Sequence, residues 1–144
     1  MRFSNVVCLI WIGIIIGISF VATPAKFLAT TVSLVDALAI GRATFSVFFW
    51  IECALFILLT YLVALDKGLS FDLVGMLLVL LGLLVANYLI IQPILDQRVQ
   101  SLIDGHVIEP SSMHRLYILL ETLKLLWLTC LSWKIKFNER FKYV

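Results

Sequence analysis

Charge is scarce in this sequence. Of its 144 residues only 14% are charged, whereas 62% are hydrophobic; an average soluble domain has about 25% and about 45–50% respectively. A chain this short cannot hide so much apolar surface in one water-soluble core, because small domains bury only about two-thirds of what the unfolded chain exposes. The scarcity excludes a cytosolic enzyme and a disordered tail, and it leaves lipid as the solvent of the apolar majority. An excess of one sign is also missing. Eleven basic and nine acidic side chains give a net charge of +2, too little for a nucleic-acid partner. The three cysteines, Cys8, Cys53 and Cys130, lie in apolar runs with no CxxC or other ligand spacing. That excludes a secreted disulfide scaffold and leaves core packing as their expected role.

What the chain has is long hydrophobic stretches. Four are long enough to cross a bilayer, which takes about 20 apolar residues: 6–25, 43–65, 73–95 and 113–133. Backbone hydrogen bonding in lipid requires all four to be helical. The expected fold is therefore all-α: a polytopic membrane protein, one domain over 1–144, with four transmembrane helices in a bundle. Pro24 and Pro93 are expected to end or kink helices near an interface, and Asp66-Lys67-Gly68 to form a tight turn. The segment from Lys26 to Arg42 reads as a mildly apolar loop with an interfacial helix, and that from Asp96 to Ser112 as a polar loop. Gly105-His106 marks a turn there, and Ser111 or Ser112 offers a cap for the fourth helix. The first span has a rival reading as a signal peptide, since Arg2 precedes an apolar run that ends in Ala22-Thr23-Pro24-Ala25. Its length, and the Gly13/Gly17 pair at GxxxG spacing, favour a helix that stays and packs; Gly82 is the matching small residue of the third span.

With four spans, the termini share a side with the turn at 66–72. That side carries Arg2, Lys67, Lys134, Lys136, Arg140 and Lys142, against Lys26, Arg42, Arg98 and Arg115 on the other. The positive-inside rule then places both termini in the cytoplasm, with the protein in a plasma membrane (the inner membrane if bacterial).

Charges within spans are costly, about 2.5–3.5 kcal/mol each even on lenient insertion scales, so the three that occur matter most: Glu52, Glu121 and Lys124. In the fourth span His114, Tyr117, Glu121 and Lys124 follow one another at spacings of 3, 4 and 3, which puts them on one helix face. Glu52 and Glu121 each lie about 12–14 Å into their helices, and Asn87 is at a similar depth on a helix running the other way. Every helix thus offers a polar group or a gap at one level, with Gly17 and Ser19 on the first. Two carboxylates facing one ammonium leave a charge to be balanced, and Arg42, His114 and Arg115 form an outer rim above them. Phe45, Phe48, Phe49 and Phe56 surround Glu52 at helical spacing, which suits either an aromatic ligand pocket or plain packing. The layer itself reads equally as a site or as a structural clasp.

A shift of 69 residues aligns Gly13 with Gly82, Gly17 with Ala86, Pro24 with Pro93, Phe48 with Tyr117 and Glu52 with Glu121, which suggests two parallel helical hairpins. Several landmarks also resemble the transmembrane-protein-205-like family of four-helix integral membrane proteins. They are Gly17-x-x-Phe20 with a downstream Phe27, Gly41-Arg42-x-x-Phe45 entering the second helix, Asn87 with Pro93, and His114 opening the fourth helix. The resemblance implies a four-helix membrane fold with ties to metal- and drug-resistance proteins and to copper-resistance-type bundles, and it transfers no catalytic site. Glu121 and Lys124 depart from that pattern.

No nucleotide motif, no HExxH and no Ser/His/Asp set occurs, so an enzyme is not expected. The leading expectation is an accessory, assembly or scaffolding component of a membrane complex, partnered by the bilayer and by further copies or other membrane proteins. The alternative is a small oligomeric transporter or resistance factor that moves a proton, metal ion or hydrophobic cation past Glu52, Glu121 and Lys124. A haem- or copper-dependent redox protein ranks last. With only His106 and His114 present, no cofactor is expected, and Met113 with His114 is the one weak metal candidate.

Overall fold

A computed structural model of the protein describes the backbone of residues 3–28, 30–67, 70–106 and 113–140, with their side chains except at 67, 113, 114 and 137–140. Four long helices dominate: α1 (Phe3–Ala25), α2 (Leu34–Lys67), α3 (Phe71–Ile103) and α4 (Met113–Arg140). No strand occurs among the described residues. Each helix contains a segment long and apolar enough to cross a membrane, in agreement with the all-α expectation.

Local chemistry sets the ends. Ser33 caps α2: its Oγ accepts the Asp36 amide at 3.1 Å and donates to the Asp36 carboxylate at 2.6 Å, which satisfies an amide that the first turn leaves free. Ser70 caps α3 by accepting the Leu73 amide at 3.4 Å. At the far end of α3, Gly105 adopts φ +82°. The His106 amide then reaches the Ser101 carbonyl at 3.0 Å and the Gly105 amide the Leu102 carbonyl at 3.1 Å, the paired bonds of a Schellman stop. The expected turn at Gly105-His106 is therefore present. Ser111, Ser112 and Gly68 lie outside the described residues.

Two expected boundaries move. Residues 34–42, read as part of a loop with an interfacial helix, are continuous with α2 as its first turns, and α3 continues through Pro93 for ten further residues. At about 1.5 Å per residue, α2 and α3 are each about 50 Å long, well beyond a hydrocarbon core of about 30 Å. The reason α3 survives its proline is visible just before it. Residues Asn87–Ile91 form a wide, π-helical turn in which the Gln92 amide bonds to the Asn87 carbonyl, five residues back. A proline ring crowds the carbonyl four residues earlier and lacks an amide proton; widening the turn by one residue absorbs both defects. The same solution appears in α1, where Ile16–Ala22 is π-helical, the Thr23 amide bonds to the Ile18 carbonyl, and Pro24 follows. Both wide turns stop two residues before their proline, at Ala22 and Ile91, which matches the 69-residue shift.

α1 packs against α2 and α4, and α3 packs against the same two helices. The apolar interior is concentrated toward the ends of the helices near the termini, with Trp11 and Ile15 from α1, Leu59 and Val63 from α2, Leu77 and Leu80 from α3, and Leu128 and Leu131 from α4 all buried. Gly13, Gly17 and Gly82, expected as helix-packing positions, do not pack within this chain. They are exposed, and a Cβ at any of them would meet nothing within 4 Å. The cause is rotational: Trp11 and Ile15 take the inward face of α1, which turns Gly13 and Gly17 outward. Cys8 is buried as expected, whereas Cys130 is exposed and Cys53 half-buried; all three thiols are free.

Candidate functional site

Lys124 lies at the centre of the molecule. It is fully buried, as is Glu121, and Glu52 is 1% exposed. An ammonium has three N–H donors. Lys124 Nζ spends two on Glu52, at 2.6 Å to Oε1 and 2.8 Å to Oε2, and stands 2.8 Å from Glu121 Oε1. The bridge to Glu121 is the i,i+3 pair expected within α4. The bridge to Glu52 crosses from α4 to α2, and the spacing of residues along either helix does not encode it. Trp11 Nε1 donates to Glu52 Oε1 at 3.1 Å, and Asn87 Nδ2 donates to Glu121 Oε1 at 2.8 Å. The Lys124 ammonium also stands 5.6 Å from the centre of the Phe48 ring, a favourable cation–π distance. All four helices thus contribute to one network. Among the described residues, Glu121 Oε2 is the buried side-chain oxygen without a hydrogen-bond partner.

The expected polar layer is accordingly assembled at one depth, with one member in a different place and one addition. Tyr117 does not touch the two carboxylates through its hydroxyl. That hydroxyl pairs with Ser19 Oγ at 3.1 Å, and the ring packs on Phe45 with centroids 4.8 Å apart. Trp11 is the addition; its signal in the sequence was an indole nitrogen on the first span, which needs an acceptor when buried. A second polar tier joins the helices nearer the termini. Ser4 donates to Asp66 at 2.9 Å, Ser132 bonds to Asn5, and the Trp127 indole donates to the Met76 carbonyl at 2.8 Å.

Above the network, toward the Arg42 end of α2, a cavity of about 90 Å³ opens between the end of α1, α2 and α3. Phe45, Phe48 and Phe49 form its wall, and Glu52, Asn87 and Tyr117 lie at its base. Of the aromatic residues read as either a ligand pocket or plain packing, Phe45, Phe48 and Phe49 line this cavity, and Phe56 lines a neighbouring space. That space is an apolar groove of about 340 Å³ between α2 and α3, lined by Phe49, Cys53, Phe56, Leu84 and Tyr88 among others. Phe49 stacks on Tyr88 at 4.2 Å and borders both.

Of the expected rim, Arg42 is at the cavity mouth, where Nε pairs with Asp96 at 3.4 Å and Nη1 donates to Gln100 at 3.2 Å. Arg115 is exposed and does not line the cavity. The side chains of Met113 and His114, the metal candidates, lie outside the described residues. His106 is exposed beyond the end of α3. Among the described residues no three His, Cys, Asp or Glu side chains gather as a metal site. Lys26, weighed in the sequence only as a loop charge, joins Arg42 at the rim. Its ammonium lies 5.1 Å from the Phe27 ring centre and 5.4 Å from that of Phe45, and burial holds its pKa below the ordinary lysine value.

Comparison with protein-family models, with curated proteins and with solved structures finds no match to this chain.

Proposed function

We propose that this chain is an integral membrane protein whose four helices insert as a bundle of two parallel hairpins, with both termini cytoplasmic, and that it works as a non-catalytic accessory or assembly component of a membrane complex. The observation that carries the reading is the engagement of the buried charges with one another. Lys124 directs its donors at Glu52 and Glu121, and Trp11 and Asn87 each donate to one of the carboxylates from the other two helices. A network of this kind acts as a clasp that sets which helix faces meet, and it leaves the outward faces to do the work. On those faces Gly13, Gly17 and Gly82 are open, so a partner helix can approach the backbone closely. Purification of the tagged protein in mild detergent tests this reading: recovery of a stoichiometric larger complex is expected, and a chain that elutes alone under conditions preserving other membrane complexes counts against it.

A second reading, transport of a small ion by an oligomer, has one observation in its favour. The cavity reaches Glu52 and Asn87, and Glu121 Oε2 is unpartnered among the described residues. Its volume of about 90 Å³ suits an ion with a few waters and is well below the roughly 300 Å³ or more of pockets for drug-sized molecules. A Glu121→Gln variant that folds normally and loses ion flux in proteoliposomes supports transport. Normal flux removes it.

A further inference from the structure

The mouth of the cavity carries a positive charge that the clasp does not use. Lys26 follows α1 and reaches across α2 at Gly41, its Nζ lying in the space that a Cβ there would take. A side chain at Gly41 would push the flexible end of Lys26 aside. Arg42 holds Asp96 through Nε and Gln100 through Nη1, and a guanidinium retains further N–H donors after two bonds. Lys26 meets the rings of Phe27 and Phe45 but no carboxylate among the described residues. With Asp96 taken by Arg42, the mouth keeps a net positive charge over an apolar interior.

Depth identifies the partner. Arg42 and Glu52 are ten residues apart on α2, or about 15 Å along the helix, which is half of a hydrocarbon core about 30 Å thick. With the clasp at the midplane, Lys26 and Arg42 stand at the level of the lipid headgroups. Deeper along the same helix pair, the apolar groove of about 340 Å³ shares Phe49 with the cavity, so an apolar chain descending from the mouth meets a complementary surface.

We propose that the Lys26–Arg42 mouth is a binding site for an anionic phospholipid of the surrounding leaflet, its phosphate held by Lys26 and Arg42 and its acyl chain running past Phe49 into the α2–α3 groove. This rests on the membrane reading above but not on the accessory role.

Native mass spectrometry of the full-length protein tests it. The protein is released from detergent after incubation with equal amounts of phosphatidylglycerol and phosphatidylcholine of matched chains. One phosphatidylglycerol per chain is expected to remain bound in preference to phosphatidylcholine. Lys26→Gln should reduce its retention about tenfold, the size of one charge-assisted contact. Gly41→Ala, which leaves every charge in place but displaces the ammonium, should act in the same direction. Lys134→Gln, at the opposite end, should leave retention unchanged. Equal retention of the two lipids overturns the proposal, as does full retention in both mouth variants. Displacement of the lipid by millimolar inorganic phosphate assigns the mouth to a soluble anion and overturns the lipid. Flotation with liposomes separates the two levels of failure: a chain that floats with vesicles but shows no lipid preference loses only this site, whereas one that floats with none loses the membrane reading itself.

Discussion

A buried ammonium between two carboxylates has an asymmetric energetics. Removing one partner of a buried ion pair costs about 3–5 kcal/mol because the other charge is stranded, whereas replacing the whole group by apolar residues of similar volume is often neutral or stabilising. Lys124→Met is therefore expected to lower the thermal midpoint sharply, and the triple variant Lys124→Met, Glu52→Gln, Glu121→Gln, which strands no charge, to recover part of the loss. A triple variant no more stable than Lys124→Met would show that the three side chains do not act as one unit. Trp11→Phe keeps the ring and removes the bond to Glu52 Oε1. It should cost about 1.5–3 kcal/mol, as a hydrogen bond to a charged group does, measured by the same melting experiment. At the mouth, Lys26 is partly withdrawn from water, so it gives up its proton at a lower pH than an ordinary lysine. Retention of an anionic lipid should accordingly weaken as pH rises, beginning below the usual lysine range. The charged or titratable groups sharing its cavity are Arg42, Glu52, Asp96 and Tyr117, and a pH profile flattened by Lys26→Gln attributes the effect to Lys26 rather than to the others.

Among the elements, α1 and α3 share a device, a wide turn placed before a proline; α3 then continues for ten residues, whereas α1 ends at Ala25. One extra residue in a turn rotates everything beyond it by about 100°. In α3 that turn begins at Asn87, the residue that bonds to Glu121, so the proline influences where the amide points although it touches neither carboxylate. Pro93→Ala restores an amide donor and removes the crowding. It should let the turn tighten and weaken the Asn87–Glu121 contact, seen as altered amide exchange across residues 87–95 and the loss of any further effect of Asn87→Leu. The other end of α3 depends on Gly105. A side chain at φ +82° costs about 1–2 kcal/mol, so Gly105→Ala should destabilise by that order, measurable in the unfolding midpoint, without altering the clasp.

For the molecule as a whole, at most a third of the most apolar window of each helix is buried inside the chain. The rest faces outward, Trp50, Ile57, Leu89 and Trp133 among the most exposed. A chain built this way needs lipid or partners around it. Its orientation is open to test with single cysteines placed in a background lacking Cys8, Cys53 and Cys130. A membrane-impermeant thiol reagent applied to intact cells should label Asp104→Cys and spare Ser70→Cys; the reverse pattern would invert the topology. The accessory reading predicts that Gly13→Leu with Gly17→Leu leaves the melting of the isolated chain nearly unchanged, since nothing lies within 4 Å of either position, while it releases the chain from its complex.

The sequence by itself determined the all-helical class, the four apolar spans and the residues that share a depth. Those properties follow from composition, from helical rise and from the cost of charge in lipid, all of which are local. The pairing of Glu121 with Lys124 was legible for the same reason, because i and i+3 meet on any helix. Only the tertiary structure decided which way each helix turns about its axis. That rotation brings Glu52 and Trp11 onto Lys124, sends Gly13, Gly17 and Gly82 outward, and lays Lys26 across Gly41. It results from competition among all the side chains on a helix for the inner face, and in α1 the bulk of Trp11 and Ile15 prevails over the smooth glycine strip. The wide turns before Pro24 and Pro93 add to the difficulty, since each breaks the 3.6-residue period on which a reading of faces relies. Scarce charge pointed to lipid as the solvent from the sequence alone; the fold decided that the few charges within the apolar helices hold one another.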